Sequence, residues 1–131
     1  MYRNDTGSEV DPLGTETESL AITVRFPKDD RPLIVVQGEI DVATSPQFRD
    51  AMLELIAQGH AHLLVHLGAV RYMDSSGLGA LASALKRLRS RQGALVLVAP
   101  TDGVKRVLHV TRLDRIIRIY ATEEEALKSL S

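Results

Sequence analysis

Residues 70–90 read VRYMDSSGLGALASALKRLRS, from Val70 to Ser90, and the rest of the chain is organised around them. The run 62–67 lies before this stretch and is nearly continuous in apolar residues, which is typical of a buried strand. Within the stretch, apolar residues recur at helical spacing and form one stripe: Leu78, Leu81, Ala82, Leu85 and Leu88. The sequence therefore predicts a strand, a short polar junction and an amphipathic helix from about Ser75 to Arg91.

The junction between this strand and this helix contains an acid, two serines and a glycine. Side-chain oxygens of Asp and Ser accept the first free amide protons of a helix, so Asp74 or Ser75 is expected to begin it. Ser76 then lies in the first turn, exposed at the positive end of the helix dipole, where a hydroxyl can carry a phosphate. On local pattern alone, a cluster of this kind is more often a helix cap than a functional site.

The segment 73–79 resembles the signature of the STAS-domain anti-sigma factor antagonists of bacteria. The signature is specific when it follows a strand and opens a helix, as is predicted here. In that family the second serine is the phospho-acceptor, which implies phosphorylation of Ser76. Three residues then flank the phosphorylation site within the signature: Asp74, Ser75 and Gly77. The segments 38–41 and 113–116 also resemble the family.

Two positions depart from the usual pattern of the family. His66 stands near the end of the third predicted strand, where the family usually carries an acid, and Gly68 stands where it often has serine. Neither position accepts the phosphate. The resemblance therefore still implies the fold and the class of protein, but it does not transfer the identity of the partner.

The resemblance implies a regulatory switch and no enzymatic activity. The unphosphorylated form is expected to bind an anti-sigma factor that is itself an ATP-dependent serine kinase, and thereby to free the sigma factor. Phosphorylation of Ser76 would end that binding, and a serine phosphatase of the metal-dependent class would reset it. No cofactor of the chain's own is expected. Two alternatives are a STAS module of another assembly, such as a stress-signalling scaffold or a lipid-transport accessory, and a small nucleotide-binding protein.

Length and composition point to a single domain. The chain has 131 residues, and we expect a flexible N-terminal tail over 1–18 and a STAS domain over 19–131. The formal net charge of -1 gives no electrostatic footprint for nucleic acid. The sequence has no cysteine, no apolar run of membrane-spanning length and no segment resembling a signal peptide. These features lead us to expect a cytoplasmic protein that does not bind membranes.

Strand and helix patterns alternate along the chain. The predicted strands are 20–26, 33–38, 62–67, 94–99 and 116–120, and a turn over 27–32 joins the first two. The first strand has one apolar face, formed by Leu20, Ile22, Val24 and Phe26. The first helix is expected to have Ser45 as its cap and Pro46 as its first residue, but Thr44 and Gln47 also have capping-box spacing, so the alternative is a start one residue earlier. The other helices are expected to begin near Ser75, Thr101 and Thr122. The order β-β-α-β-α-β-α-β-α predicts an α/β fold, with a small, mixed, mostly parallel sheet. The resemblance to the STAS fold implies the same order.

A second acid, Asp41, follows the second predicted strand. The ends of parallel strands meet at one edge of a sheet, so Asp41 and Asp74 are both expected to flank Ser76 there. Alternatively, each acid caps its own helix.

Two other classes of site are disfavoured by the pattern. A hydrolase would need Ser on a Gly-x-Ser-x-Gly elbow, and neither Ser75 nor Ser76 has both glycines. The segment 77–82 fits Gly-x-Gly-x-x-Ala, but its glycines fall within the first helical turn and Ala82 is expected in the buried stripe. A weak purine-nucleotide site at this helix start stays open, because helix N-termini bind phosphate.

Histidine and basic side chains have simpler interpretations than metal or anion binding. His60, His62 and His66 would share one face of a strand, but zinc would need a further ligand. The cations of the second half of the central helix, Lys86, Arg87, Arg89 and Arg91, are expected on its solvated face.

Overall fold

The computed structural model describes residues 20–28 and 30–130. The strands are β1 (Ala21–Lys28), β2 (Arg31–Ile40), β3 (His62–Met73), β4 (Ala94–Val98) and β5 (Arg118–Tyr120). The helices are α1 (Ser45–Ala57), α2 (Ser75–Arg89), α3 (Asp102–Val110) and α4 (Glu123–Ser129), with a short 3-10 turn over Leu113–Arg115. The predicted order of strands and helices is confirmed. The predicted tail, residues 1–18, lies outside the described residues.

The strands form one sheet in the order β1-β2-β3-β4-β5. The pair β1 and β2 is antiparallel and the other pairs are parallel, so the predicted mixed, mostly parallel sheet is confirmed. The central strand is β3, as its nearly continuous apolar run predicts. Because β2 to β5 run the same way, the sheet has an amino-terminal edge, where these strands begin, and a carboxyl-terminal edge, where they end.

Helices cover the two faces of the sheet unequally. The larger core lies under α1, α2 and α3 and contains Phe48, Leu81 and Val104. The smaller core joins Leu64 of β3 to Ala126 of α4. Successive side chains of a strand point to opposite faces, and crossovers between parallel strands keep one hand. The connecting helices therefore share one face, and α4 covers the other.

Several strand ends differ from the sequence-based prediction, and three of the differences are the largest. The strand β3 continues to Met73 instead of ending at residue 67, because its backbone keeps pairing with β2 after the apolar run stops. The predicted turn over 27–32 is too long, since Lys28 already pairs with Arg31. The strand β5 is only three residues long, because the 3-10 turn before it bends the chain and Ile117 N–H donates to Leu113 O.

The predicted apolar face of β1 holds only at its beginning. Leu20 and Ile22 are buried, but Phe26 is 52% exposed. The Phe26 ring lies beside His60, with ring centroids 5.6 Å apart. The larger core ends before this position, so the predicted apolar face packs on the core only as far as Val24.

The helix α1 starts after Thr44, so of the two predicted starts the earlier one is confirmed. The predicted capping box is wrong, because both of its side chains have other partners. Thr44 Oγ1 donates to Glu39 O at 2.8 Å, and Gln47 Nε2 donates to Leu20 O at 3.0 Å. These bonds attach the start of α1 to β2 and to the residue that precedes β1.

The helix α2 ends at Arg89, close to its predicted end. One member of its predicted stripe is wrong: Ala82 is exposed, whereas Ala80 and Ala84 are buried. The buried face of α2 therefore includes Ala80 and Ala84 in place of Ala82, and it packs on α1 and the sheet. Beyond the helix, Arg91 Nη1 donates to Ile56 O at the end of α1, where a cation also complements the helix dipole.

Within residues 20–28 and 30–130, no helix is long and apolar enough to cross a membrane.

We predict that His62 makes the fold less stable in mild acid. Burial lowers the pKa of His62 below its ordinary value of 6.5, the positive charge of Arg31 lowers it further, and Asp30 partly opposes this. The unfolded chain then binds the proton at a higher pH than the folded chain, so stability falls as pH drops below about 6.5. Replacing His62 with Gln removes this titration.

The measurement is the free energy of unfolding in urea, at several pH values between 8 and 5, for the wild type and His62→Gln. The difference between the two proteins should shift in favour of the variant as pH falls. A difference in the free energy of unfolding that stays constant from pH 8 to pH 5 would contradict the prediction.

Candidate functional site

Asp74 is the residue that caps α2. Its backbone is extended, with φ -106 and ψ -169, while Ser75 begins the helix. Its Oδ1 accepts the Ser76 backbone N–H at 2.9 Å and the Ser76 hydroxyl at 2.5 Å. Of the two predicted starts, Asp74 is therefore the N-cap. Ser75 is exposed, whereas Ser76 is half-buried instead of exposed as predicted, and its hydroxyl is held by the bond to Asp74.

The contact between these two side chains sets the charge of the site. The hydrogen bond from the Ser76 hydroxyl lowers the pKa of the Asp74 carboxyl below its ordinary value. Burial acts in the opposite direction, and the backbone amides of Ser76 and Gly77 lower the pKa further. Near neutral pH, Asp74 is thus an ionised hydrogen-bond acceptor.

The sheet places this cap at its carboxyl-terminal edge. Asp74 N–H donates to Ile40 O at 3.1 Å, and Ile40 pairs with Met73 across β2 and β3. Since Asp41 follows Ile40, the two acids leave adjacent, paired strand ends. The Asp41 Oδ1 accepts the backbone N–H of Ala43 and of Thr44, at 2.9 and 3.0 Å. Asp41 thus orders its own loop, and a direct role beside Ser76 stays a prediction.

The glycines that follow Ser76 occupy different environments. A Cβ atom on Gly77 would lie 2.6 Å from Met73 Cγ and 2.8 Å from Ile40 Cγ2. A Cβ atom on Gly79 would meet nothing within 4 Å. Gly77 therefore lets the first turn of α2 pack closely on the ends of β2 and β3. The space above it is filled by these side chains, which disfavours the approach of a dinucleotide pyrophosphate there.

Backbone amides of the first turn already have partners. The Ser76 N–H is bonded to the Asp74 carboxylate, and the N–H groups of Gly77 and Leu78 point to Asp74 O at 3.1 and 3.3 Å. A phosphate on Ser76 would therefore meet the helix dipole but few free donors. It would also lie beside a carboxylate.

Two exposed apolar residues at this edge were missed by the sequence analysis. Val42 is 76% exposed and Tyr72 is 51% exposed. Tyr72 pairs with Glu39 near the end of β2, and Val42 follows that strand by two residues. The exposure of Tyr72 was not predicted, because β3 was expected to end before this residue. Val42 lies in a loop, where sequence alone says little about exposure.

The histidines do not converge on a metal. His66 Nδ1 accepts the Gly68 N–H at 3.1 Å, and His60 lies against Phe26 outside β3. Within the part of the chain that the structure describes, no group of three or more His, Cys, Asp or Glu side chains could hold a metal ion.

The sequence was compared with models of known families, and the STAS domain model matches residues 22–126. The chain belongs to the STAS domain family. An anti-sigma-B factor antagonist of Listeria monocytogenes is 36% identical over 107 residues, covering 82% of this chain and 94% of the Listeria protein. The suspected family and fold are thereby confirmed.

Solved structures of anti-sigma factor antagonists agree with the fold. An anti-sigma factor antagonist from Mycobacterium paratuberculosis has a TM-score of 0.76 at 30% identity, over 84% of this chain and 92% of that one. SpoIIAA in its unphosphorylated form has a TM-score of 0.74 at 26% identity, over 84% and 96%. The phosphorylated form of this Bacillus protein has a TM-score of 0.68 at 25% identity, over 85% and 100%.

We predict opposite effects for alanine at the two glycines. Gly77→Ala should destabilise the fold by about 1–3 kcal/mol, because the new methyl group cannot avoid Met73 and the stiff side chain of Ile40. Gly79→Ala is the matched control, and it should stabilise the helix by up to about 1 kcal/mol, since alanine is the better helix former.

Both values can be measured by urea unfolding at neutral pH. Equal effects of the two substitutions would show that the close packing under Gly77 does not contribute to stability.

Proposed function

We propose that this chain is an anti-sigma factor antagonist that is switched by phosphorylation of Ser76. The supporting observation is the Ser76 hydroxyl, half-buried in the first turn of α2 and bonded to the Asp74 carboxylate at 2.5 Å. Family membership adds the context, since relatives matched over most of the chain are anti-sigma factor antagonists. The unphosphorylated form binds an anti-sigma factor and so releases the sigma factor.

The chain acts as the substrate of a kinase and not as an enzyme. In the transfer, Ser76 Oγ forms a bond to the γ-phosphorus of ATP held by the anti-sigma factor, and the bond from that phosphorus to ADP breaks. Asp74 orients the hydroxyl by accepting its proton in a hydrogen bond. Its lowered pKa makes Asp74 a poor final proton acceptor, so the base belongs to the kinase. A metal-dependent serine phosphatase removes the phosphate.

The surface around Ser76 suits a partner that the phosphate can repel. Val42 and Tyr72 offer exposed apolar area at the same edge of the sheet. Asp41 and Asp74 already make this edge acidic, and Arg71 nearby is engaged by Glu39 at 3.5 Å. A phosphoserine adds about -1.5 to -2 charges. An uncompensated buried charge typically costs ~3–5 kcal/mol, which weakens binding by roughly two to three and a half decades.

The proposal predicts that alanine and aspartate at position 76 act in opposite ways. Ser76→Ala should keep partner binding and abolish phosphorylation, because only the hydroxyl is lost. Ser76→Asp should fold normally and bind the partner at least about tenfold more weakly, since one carboxylate only partly imitates phosphate. The measurements are calorimetric affinity and incorporation of labelled phosphate, with each purified anti-sigma factor of the same genome.

Ser75→Ala is the control, and it should be phosphorylated like the wild type because the exposed Ser75 is not the acceptor. A phosphate mapped to Ser75 by mass spectrometry, or a Ser76→Ala protein that is still phosphorylated, would disprove the assignment. Failure of every anti-sigma factor to bind would disprove the proposed function.

A separate prediction concerns the charge on Asp74. Asp74→Asn keeps an oxygen that can cap α2, because Asn caps about as well as Asp, but it weakens the bond that orients Ser76. Phosphorylation should slow by roughly tenfold, which corresponds to about 1.4 kcal/mol on the barrier. Stability at neutral pH should fall by at most about 1 kcal/mol, the usual size of a charge effect at a helix end.

Kinase assays and urea unfolding of the wild type and Asp74→Asn give both numbers. Because the pKa of Asp74 is lowered in the folded state, its stabilising contribution is present above its ordinary pKa and lost as pH falls through the lowered value. The two proteins should therefore become equally stable in strong acid. A loss of phosphorylation that merely follows a loss of folded protein would mean that Asp74 is only a cap.

A further inference from the structure

Charge is distributed very unevenly along this chain. Residues 86–118 contain nine Lys and Arg side chains and two Asp, so their net charge is +7 although that of the whole chain is -1. The chain therefore contains a strongly basic segment although its overall net charge is close to zero. A local excess of this size can attract an anionic partner.

The topology gathers most of these cations at one end of the molecule. The helix α2 starts at the carboxyl-terminal edge, ends at the amino-terminal edge and leads into β4, and the segment after α3 returns to the same edge to begin β5. Six exposed cations lie in these parts of the chain: Lys86, Arg87, Arg89, Arg112, Arg115 and Arg118. Within residues 20–28 and 30–130, none of the six forms an ion pair. The acid among them, Asp114, is bonded to His109 at 2.9 Å.

Two of these arginines flank one concave site between α2 and β5, which we call the basic groove. It is lined by Leu85, Arg89, Gly93, Leu95, Ile116 and Arg118, together with residue 94. Ile116 is 46% exposed. In the sequence it lies between Arg115 and Arg118, and both arginines are exposed as well. The groove therefore combines an apolar surface with two arginines, Arg89 from α2 and Arg118 from β5.

We propose that the basic groove is a second protein-binding site, which takes an acidic polypeptide segment carrying an apolar side chain. The apolar side chain packs on Ile116, and carboxylates on either side pair with Arg89 and Arg118. Guanidinium groups suit this role because they bind carboxylates through two parallel hydrogen bonds.

The shape and composition of the groove favour a polypeptide over other anions. A concave site can enclose a side chain, whereas a membrane surface would meet only its rim. Among the described residues that line the groove, no aromatic side chain is available to stack on a nucleic-acid base.

The basic groove lies far from Ser76. Ser76 and Arg89 lie near opposite ends of α2, about 20 Å apart at the rise of an α-helix. Phosphorylation changes charge at the carboxyl-terminal edge only. An acidic segment can therefore stay bound whether or not Ser76 carries a phosphate.

The test uses the full chain and a short synthetic peptide with one leucine flanked on each side by two glutamates. Backbone amide shifts in a 15N titration should move mainly at the residues of the basic groove. A matched peptide with glycine in place of leucine should bind about tenfold more weakly. The variant Arg89→Glu with Arg118→Glu should lose at least about tenfold in affinity for the leucine peptide, and Ser76→Asp should stay within about twofold of the wild type.

The matched control is Arg49→Glu with Lys128→Glu, which changes the net charge equally at positions outside the groove. It should weaken binding far less than the groove variant. Equal weakening by the two variants, equal affinity for the two peptides, or shifts that scatter over the surface would overturn the proposal. Tighter binding of duplex DNA or of phosphatidylserine vesicles through the same residues would also overturn it. None of these readouts involves an anti-sigma factor, so they are separable from a failure of the switch.

Discussion

A single carboxylate oxygen, Oδ1 of Asp74, accepts both the backbone amide and the hydroxyl of Ser76, and the candidate switch depends on this shared acceptor. Asp74 is fixed in turn, because its own amide donates to Ile40 at the end of β2. The central strands therefore determine where α2 starts, and the start of α2 determines where the hydroxyl lies. Gly77 completes the arrangement by allowing that first turn to lie directly on the strand ends.

Much of this arrangement could be predicted from the sequence because its determinants are local. Apolar runs with turn residues between them indicated the strands, and helical spacing indicated α1 and α2. The polar cluster after the third strand indicated a helix start, and the resemblance to STAS proteins singled out Ser76. The family and the fold are confirmed by the comparisons, while the role of each site residue remains a prediction.

The features that sequence reasoning missed depend on partners distant in the chain. The strand β3 runs on to Met73 because β2 pairs with it, and no apolar pattern marks that extension. Ala82 is exposed because α1 and the sheet lie on another side of α2. Tyr72 lies in this extension of β3. Because the end of β3 was predicted too early, Tyr72 was not recognised as an exposed residue near Ser76. Thr44 and Gln47 fit a capping motif, yet both side chains donate to backbone carbonyl groups outside the helix.

The separation of charge along α2 also gives the domain a permanent electric dipole. Asp41 and Asp74 lie at the end where Ser76 is held, and the exposed cations Lys86, Arg87 and Arg89 lie in the last turn of α2 at the other end. Such a dipole turns the molecule in the field of an approaching charged protein before the two touch, which affects the rate of encounter and its dependence on salt. The charge of about -1.5 to -2 on a phosphorylated Ser76 would increase this dipole moment. A covalent mark at one end would then change how the whole domain is oriented during collisions.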